Sequence, residues 1–315
     1  MMTKNSACRA CQNPKLVKVI DLGLQPLANS FLKKEQLNQP EAKYPLEVYF
    51  CENCSHTQLI HIIDKEILFS DYVYFSSHMP KVSAHWQKYA DDVIGRFLKS
   101  KNDLVVELGS NDGVLLKYFK EQGFRITGVD PAKNIAKLAN EHGIETVAEF
   151  FNEKIADQIT AAKGRAKAIL GNNVIAHIDD YETLGRGLSK LLAPDGVFVF
   201  EAPYLVDMFQ NLTFDTIYHE HMSYLAVRPM NAWLKRFGLE IFEVQVVSSQ
   251  GQSIRVFAGH KGQHPLDQSV AVLTKREVEM GLDKKETYLA LAQKIETIKN
   301  DCLAVLKKLK TEGTR

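Results

Sequence analysis

The chain has 315 residues, of which 45% are hydrophobic and 24% are charged, as in an ordinary globular protein long enough for two domains. Its 39 Lys and Arg residues nearly balance its 38 Asp and Glu residues, without the basic excess or stripe of a nucleic-acid-binding protein. The sequence has no run of about 18 apolar residues that would span a membrane, and its opening segment MMTKNSACRA lacks the apolar core of a signal peptide. We therefore expect a cytoplasmic protein with no nucleic-acid or membrane partner.

The first stretch of the chain contains four of the five cysteines, arranged as two Cys-x-x-Cys pairs. Each pair can form a turn in which two thiolates face one point, and two such turns supply tetrahedral coordination for Zn2+. Four thiolates leave no open position for water or substrate, so the expected site is structural and replaces a hydrophobic core. Two redox-active pairs are the alternative interpretation. We predict a zinc-binding module over residues 1–70 with the ligands Cys8, Cys11, Cys51 and Cys54.

Alternating strands and helices follow this module. The segment VSAHWQKYADDVIGRFL has apolar residues at helical spacing, LVVEL is a short apolar strand, and GVLLKYFKEQG is typical of a helix closed by glycine. FRITGVD, IETVAEF, AKAILGN and GVFVFEAP are further predicted strands, with PAKNIAKLANEHG and YETLGRGLSKLLA as helices. This alternation predicts an α/β fold over residues 71–260, in which helices cover both faces of an open parallel sheet.

A glycine-containing turn, ELGSNDG, joins the first strand of this sheet to its helix. Its pattern, Glu-x-Gly-x-x-x-Gly, accommodates the amino-acid end of S-adenosylmethionine, although nicotinamide and flavin enzymes use related turns. Asp130, at the end of the second strand, can accept both ribose hydroxyls. It can also cap a helix at Pro131, and the two roles need not exclude each other. Phe150 can line an adenine pocket. The predicted S-adenosylmethionine site comprises Glu107, Gly109, Asn111, Gly113, Asp130, Phe150 and Asn172.

The last part of the chain is expected to complete the sheet and then to become helical. RPMNAWLKRFG predicts a helix, and LEIFEVQVVS and QSIRVFAG predict a hairpin added to the parallel sheet. Over residues 261–315, apolar side chains recur at intervals of three and four. We expect this segment to pack on its own domain, with a coiled-coil seam as the alternative, and we expect Cys302 to be buried on its apolar stripe.

The densest polar cluster, IYHEHMSY, falls in a predicted insertion near residues 204–226 that would lie over the methyl group of the cofactor. Two histidines and a carboxylate favour general acid–base chemistry, because His-Glu-His is too tightly spaced for a helical zinc pair. A solvated polar loop is the alternative interpretation.

With these motifs the chain resembles the zinc-containing sugar C-methyltransferases, which act on nucleotide-linked 4-keto-6-deoxy hexoses. The resemblance runs from Cys8 to about His260. It is carried by LGLQPLANSFL, YPLEVYFCENCSHTQL, DYVYFSS, VVELGSNDGVLL, GVDP, NNVIAHIDD, EAPY and YHEHMSYL, several of which are specific to the family. The resemblance implies a class I S-adenosylmethionine-dependent methyltransferase fold behind the zinc module, and a dTDP-like sugar substrate whose ketone acidifies the neighbouring carbon.

The same resemblance implies roles for five residues. His221 would be the base that forms the enolate, and an imidazole suits proton abstraction at neutral pH. Glu220 would orient His221 or hold a substrate hydroxyl. Tyr218 and His177 would donate hydrogen bonds to the enolate oxygen, with a capping or core histidine as the alternative for His177. Tyr72 would reach in from the edge of the zinc module.

The chain departs from the family in two places. Family members usually continue for roughly another hundred residues, in a half that helps to enclose the nucleotide sugar. Gln252 stands where the family tends to have a glycine, before Arg255, which is either a phosphate partner or an ordinary strand-surface arginine. A truncated gene product, one of two split subunits or an enzyme for a smaller substrate would each account for the short form. The expected protein partner is a second copy in a homodimer or a separate subunit that supplies the missing half. Methylation of RNA or protein, and a catalytically silent binding subunit, are the competing functions.

Overall fold

The computed structural model describes residues 2–69, 80–248 and 252–313, so that Tyr72 lies outside the described residues. The described strands are β1 (Met2–Lys4), β2 (Leu16–Gln25), β3 (Tyr44–Cys51), β4 (Thr57–Leu59), β5 (His61–Ile63), β6 (Leu104–Leu108), β7 (Arg125–Val129), β8 (Thr146–Val147), β9 (Ala166–Leu170), β10 (Leu192–Pro203), β11 (Ser223–Tyr224), β12 (Leu239–Val247) and β13 (Ser253–His260). The described α-helices are α1 (Lys65–Phe69), α2 (Pro80–Phe97), α3 (Val114–Glu121), α4 (Lys133–Glu141), α5 (Glu153–Lys163), α6 (Tyr181–Leu191), α7 (Leu205–Asn211), α8 (Val227–Lys235), α9 (Gln268–Glu279) and α10 (Lys285–Thr311).

The N-terminal module is built on a four-stranded antiparallel sheet with the strand order β11-β4-β3-β2. Alternate residues of β3, namely Leu46, Val48 and Phe50, are buried, as the period of two in YPLEVYFC predicts. The edge strand β11 comes from the distant segment that carries the predicted catalytic cluster, and it pairs Ser223 with Gln58. The sheet of the module is therefore completed by the insertion.

The larger sheet has seven strands in the order β12-β13-β10-β9-β6-β7-β8. Strands β10, β9, β6, β7 and β8 run parallel, and β13 runs antiparallel to both β10 and β12. Every residue of β6 and β9 is buried, as expected of central strands with helices on both faces. This sheet confirms the predicted α/β class I methyltransferase fold and its closing hairpin. The strand order reverses between β6 and β9, which is where ligands bind in open sheets of this kind.

Two local features between β7 and β9 differ from the sequence analysis. IETVAEF forms a strand of only two residues, Thr146–Val147. Helix α5, which the sequence analysis does not predict, begins after Asn152, whose side chain caps it by accepting the N–H of Ile155 at 3.0 Å. The helix buries Ile155, Ala156 and Ile159 and packs beside α6. Its apolar residues are few and weakly periodic, which explains why the sequence analysis missed it.

The C-terminal segment is helical, as predicted, but only its first part is covered by the rest of the chain. Tyr288 packs against Phe50 of the zinc module and Phe209 of the insertion, with ring centroids 5.1 Å apart in each pair. Within α10, burial ends at Ile295. Cys302 is exposed, so the prediction that it is buried was wrong. Its stripe continues with the exposed residues Ile298, Val305 and Leu309.

In its described residues, the zinc module shares its hydrophobic core with the rest of the chain. Its buried Val48 and Phe50 belong to one continuous cluster that also contains Tyr181 and Trp233 of the methyltransferase sheet and Leu291 of α10. A second cluster fills the other face of the seven-stranded sheet around Tyr89 and Phe119. The module, the sheet and the start of α10 are therefore packed as a unit.

Candidate active site and zinc site

The four cysteine sulfur atoms of the N-terminal module converge on one point. The Sγ atom of Cys8 lies 3.7 Å from that of Cys54, the Sγ atom of Cys11 lies 3.6 Å from that of Cys51, and all four lie within 4.8 Å of one another. Zn–S bonds of about 2.3 Å in a tetrahedron give S···S edges of about 3.8 Å. A disulfide would hold its sulfur atoms about 2.05 Å apart, so these are free thiols. The donor set fits a structural zinc ion, as predicted.

The two turns that carry these ligands have the same backbone geometry. The N–H of Gln12 donates to the carbonyl of Cys8 at 2.7 Å, and the N–H of Ser55 donates to the carbonyl of Cys51 at 2.9 Å. Gln12 and Ser55 both adopt the left-handed conformation, with φ of 61° and 65°. Each turn thus bends so that both of its thiols face the same side.

Arg9, which lies between the first two ligands, joins the zinc site to the insertion. Its buried guanidinium donates to the carbonyl oxygen of Met222, to Oγ of Ser223 at 3.0 Å and to the carbonyl oxygen of Leu59 at 2.8 Å. Met222 directly follows His221 in the chain. The backbone on one side of His221 is therefore fixed by a residue of the zinc turn.

A cavity of about 870 Å³ opens at the carboxyl ends of the parallel strands. Of the sixteen residues that the sequence analysis assigns, Gly113 and Glu220 lie near this cavity without lining it, and Tyr72 lies outside the described residues. The predicted cofactor and catalytic residues that do line it are Glu107, Gly109, Asn111, Asp130, Phe150, Asn172, His177, Tyr218 and His221. One cavity thus contains both predicted sets.

The glycines of the first turn are required by its geometry. Gly109 has φ of 61°, and a Cβ there would lie 2.8 Å from Cγ2 of Val174. Gly113, which precedes the first residue of α3, has φ of 81°, and a Cβ there would lie 2.7 Å from Cγ2 of Ile144. Any other residue would be strained in its backbone and would clash. The turn can therefore bring its backbone close to a ligand.

Asp130 fixes this turn at the end of β7. One carboxylate oxygen accepts the N–H of Asn111 at 2.9 Å, and the other accepts the N–H of Ala132 at 2.9 Å. Burial raises the pKa of Asp130. The N-cap position of α4 is occupied by Ala132, so the capping interpretation of Asp130 was wrong. Asp130 instead joins two loops at the cavity wall, where its oxygens can still accept ribose hydroxyls.

Glu107 and Asn172 form a polar row at the ends of the central strands. Glu107 is buried, and burial raises its pKa well above the ordinary value, while a hydrogen bond with Asn172 opposes this shift. The amide oxygen of Asn172 also accepts the N–H of Glu201, the third strand end in the row, at 3.1 Å. Phe150 lies farther along the cavity, with Nζ of Lys65 4.4 Å above its ring.

His221 is held by both of its ring nitrogens. Nδ1 lies 2.9 Å from the carbonyl oxygen of Thr216, and Nε2 lies 2.8 Å from the hydroxyl of Tyr218. Since a carbonyl can only accept, Nδ1 carries the proton and Nε2 is the basic nitrogen. Burial lowers the pKa of His221, with the Thr216 contact opposing that shift. Glu220 makes neither of these contacts.

His177 and Glu220 complete the cluster in different ways. The ring of His177 lies 4.9 Å from that of His221, edge to face, and burial lowers the pKa of His177 to about 3. His177 ends a 3-10 turn and does not cap a helix. Glu220 accepts a hydrogen bond from the side chain of Asn29 at 2.6 Å, and Asn29 lines the cavity.

Arg255 is not an ordinary surface residue. It is buried, its Nε and one terminal nitrogen each lie 2.7 Å from Oε1 of Glu201, and its guanidinium lies 4.2 Å above the ring of Tyr89. With this pairing it does not present a free charge to a phosphate.

Among the cavity residues to which sequence reasoning gave no role are Asn29, Lys65 and His85. Asn29 falls inside the quoted motif LGLQPLANSFL, which could have indicated it. Lys65 and His85 lie on helices α1 and α2 without any local motif, and only the packing of these helices over the sheet brings them to the cavity.

Three sequence profiles match the chain from end to end. A zinc binding domain matches residues 8–69, a methyltransferase domain matches residues 82–244, and a C-methyltransferase C-terminal domain matches residues 248–315. The methyltransferase profile covers more than half of the chain, and all three agree with the fold and the cysteine site. The chain therefore belongs to the zinc-containing, S-adenosylmethionine-dependent C-methyltransferases, and its cofactors are S-adenosylmethionine and zinc.

Among its relatives is the C-methyltransferase NovU of Streptomyces niveus, which is 34% identical over 97% of this chain and 73% of its own length. A ubiquinone biosynthesis O-methyltransferase of Chromobacterium violaceum is 24% identical over 51% of this chain and 73% of its own. Among solved structures, an S-adenosylmethionine-dependent methyltransferase of Anabaena variabilis covers 57% of this chain and 95% of its own, with 16% identity and a TM-score of 0.43, too low to carry an argument.

None of the helices in residues 2–69, 80–248 and 252–313 is long and apolar enough to cross a bilayer.

Proposed function

We propose that the protein methylates a carbon atom of a nucleotide-linked 4-keto-6-deoxy sugar, and that His221 forms the attacking enolate. The observation that supports this most is the contact between Tyr218 and His221 on the wall of the cavity that contains the predicted cofactor residues. Bound S-adenosylmethionine supplies the electrophilic methyl group that the enolate carbon attacks. A carbon nucleophile needs a base, and the cluster provides one.

His221 is suited to act as that base. The carbonyl oxygen of Thr216 fixes its tautomer, and burial keeps its pKa low, so that the ring is neutral at physiological pH. Nε2 takes the proton from the carbon next to the ketone. The electron pair of that C–H bond moves toward the carbonyl carbon and the ketone oxygen takes the negative charge.

Tyr218 and His177 are suited to stabilise that oxygen. Burial, together with the charge of Glu220, raises the pKa of Tyr218, so its hydroxyl stays protonated and can turn from Nε2 toward the ketone oxygen. The neutral ring of His177 has one N–H, which donates to the backbone of Glu220, so His177 would stabilise the ketone oxygen by turning this N–H from Glu220 toward it. A donor of this kind in a water-excluded site contributes about 3 kcal/mol to transition-state stabilisation. Glu220 would orient Asn29 toward a sugar hydroxyl. Tyr72 is also proposed as an active-site residue, and only the resemblance to the family supports this role.

The charge of the cavity bears on the nucleotide part of the substrate. Among the described residues that line it, Lys65 is the only lysine or arginine. A diphosphate carries two negative charges, so we propose that the sugar enters the cavity while the diphosphate lies outside this lining. A second copy of the chain or a separate subunit would then supply further cations.

The test uses purified protein, S-adenosylmethionine and dTDP-4-keto-6-deoxyglucose in deuterated water, followed by NMR and mass spectrometry. We expect a methylated product, or deuterium at the carbon next to the ketone, and we expect His221→Asn to abolish both. His142→Asn is the matched control, because His142 is exposed at the end of α4. The absence of both exchange and methylation would contradict the proposal. Methyl transfer to RNA or protein instead of the sugar would replace it.

A further inference from the structure

His85 is a cavity residue that the proposed chemistry does not use. It lies on α2, and its Nε2 atom is 2.7 Å from Oε2 of Glu201, at the end of β10. The side chain of His85 is 26% exposed, whereas that of Glu201 is 1% exposed. A partly exposed imidazole is therefore hydrogen-bonded to a fully buried carboxylate at the wall of the cofactor cavity.

The carboxylate that holds His85 is itself rigid. Its other oxygen, Oε1, accepts a hydrogen bond of 2.7 Å from Nε of Arg255 and lies 2.7 Å from a terminal nitrogen of the same guanidinium. The N–H of Glu201 donates to Asn172. Such a paired carboxylate fixes the orientation of an imidazole in the way that second-shell carboxylates fix metal-bound histidines. Because Nε2 faces Glu201, Nδ1 is the ring nitrogen that can face a ligand.

We propose that His85 binds the carboxylate at the amino-acid end of S-adenosylmethionine, with Nδ1–H as the donor. The bound imidazolium then donates to two carboxylates, that of the cofactor and that of Glu201. This assignment rests on the cofactor and does not depend on which substrate is methylated.

The position of His85 matches the amino-acid end of the cofactor site. Glu107, Asn172 and Glu201 follow one another at the ends of adjacent strands, since Asn172 bonds both glutamates. Glu107 can accept the cofactor ammonium, so a donor for the cofactor carboxylate is needed at the same end.

The other cationic groups of the described lining do not serve this purpose. Lys65 lies over Phe150, in the proposed adenine pocket. His177 is buried and has a pKa of about 3, and His221 has both ring nitrogens in hydrogen bonds within its own cluster. His85 is the group that remains, and it already has a counter-charge in Glu201.

The test compares two ligands that differ only in the group concerned, S-adenosylmethionine and decarboxylated S-adenosylmethionine, by isothermal titration calorimetry on the full chain. For His85→Leu we expect the Kd of S-adenosylmethionine to rise by about 10- to 100-fold, the range of a charge-assisted hydrogen bond. We expect the Kd of the decarboxylated ligand to stay within about twofold of the wild-type value. His142→Leu, at an exposed position outside the cavity, should change neither Kd.

A second variant guards against misfolding. His85→Gln keeps a donor to Glu201 but cannot become a cation, so it should reproduce the ligand-selective loss with an unchanged melting temperature. An equal loss for both ligands would show a packing role and overturn the proposal, as would an unchanged Kd for S-adenosylmethionine. Because no sugar is present in these titrations, the outcome is independent of the proposed substrate.

Discussion

At the scale of single residues, burial sets the protonation state of the proposed base. The pKa of His221 is lowered chiefly because its ring has lost water, and the carbonyl of Thr216 opposes this only in part. A base acts in its neutral form, so a lowered pKa extends its working range downward in pH. The ring of His177, 4.9 Å away, is neutral as well and adds no competing charge near pH 7.

We therefore predict that proton exchange next to the ketone stays active below pH 6.5, the ordinary pKa of histidine. As the pH falls through the lowered pKa of His221, Nε2 becomes protonated and the rate declines. The measurement is kcat/KM for deuterium exchange as a function of pH in the absence of S-adenosylmethionine. An acidic limb with its midpoint above 6.5 would contradict the assignment, and His221→Asn should show no limb because it has no base.

At the scale of secondary-structure elements, the zinc turn holds the strand that follows the base. Arg9 donates to Met222, Ser223 and Leu59, and thus links the first Cys-x-x-Cys turn, β4 and β11. Arg9 is buried, so its charge is held in a dry environment, and this burial lowers its pKa. Removing it would leave buried acceptors without donors beside His221.

We predict that Arg9→Met lowers kcat for exchange about tenfold or more while changing KM less, because His221 loses its fixed position while the rest of the cavity is intact. Zinc content, measured by atomic absorption, should remain at the wild-type level. Lys15→Met, an exposed position in the same module, is the control. Loss of the metal in Arg9→Met, or an unchanged kcat, would each argue against a positioning role.

A second link between elements comes from α9. The buried carboxylate of Glu277 accepts hydrogen bonds from the hydroxyl of Tyr204 at 2.9 Å, the N–H of Val227 at 2.7 Å and the N–H of Arg228 at 3.0 Å. Tyr204 and Val227 stand at the two ends of the insertion. One carboxylate from the C-terminal segment thus joins the end of β10, where the insertion begins, to the start of α8, which follows the insertion.

We predict that Glu277→Gln destabilises the protein by about 2 kcal/mol, because the amide has only one acceptor oxygen and leaves the N–H of Arg228 unpaired. This corresponds to a melting temperature lower by about 3 °C for a chain of this length. Burial raises the pKa of Glu277, so the folded state retains its proton to higher pH than the unfolded state does. The wild-type protein should therefore lose some stability as the pH rises through this pKa.

The Gln variant, which cannot titrate, should lack that part of the pH dependence. Glu279→Gln, an exposed change on the same helix, should leave the melting temperature within about 1 °C of wild type at every pH. Equal melting temperatures for Glu277→Gln and Glu279→Gln would rule out the link.

At the scale of the whole molecule, the parts that could be predicted are those with local signals. The zinc ligands lie two by two in short turns, and the strands of the parallel sheet are short apolar runs bounded by glycines. The arrangement of the described cavity residues follows from strand ends meeting at one edge. Local patterns were therefore sufficient for the fold class and for nine of the residues that line the cavity.

The remaining features depend on residues that are far apart in the chain. Arg255 looks like a strand-surface residue until it is paired with Glu201, 54 positions away. The strand β11 has two residues and becomes recognisable only through its pairing with β4. Cys302 belongs to an apolar stripe, but whether a stripe is buried depends on what packs against it, and α10 leaves the body of the protein before that point. No periodicity in one segment contains this information.

Because the hydrophobic core is continuous, the zinc site is expected to affect the stability of the whole protein. Val48 and Phe50 of the module share one hydrophobic cluster with the methyltransferase sheet and with α10, so loss of the metal would loosen contacts that the sheet also needs. Binding of structural zinc contributes on the order of 10 kcal/mol in small zinc domains, far more than any single side chain considered above. Removal of zinc would unfold the module alone only if the module had a separate hydrophobic core.

We predict that chelation lowers the melting temperature of the whole protein in one cooperative transition. Hydrogen exchange should quicken in β11 together with β3 and β4, since these strands form one sheet. In the native protein one thiol per chain, the exposed Cys302, should react rapidly with Ellman's reagent, and chelation should release the four cysteines of the cluster. Cys302→Ser should abolish the rapid reaction and leave the four chelator-dependent thiols. If the module melts alone while hydrogen exchange in β11 stays slow, the zinc site stabilises the module only. The contacts of Arg9 and β11 would then not carry the effect of zinc removal to the rest of the protein.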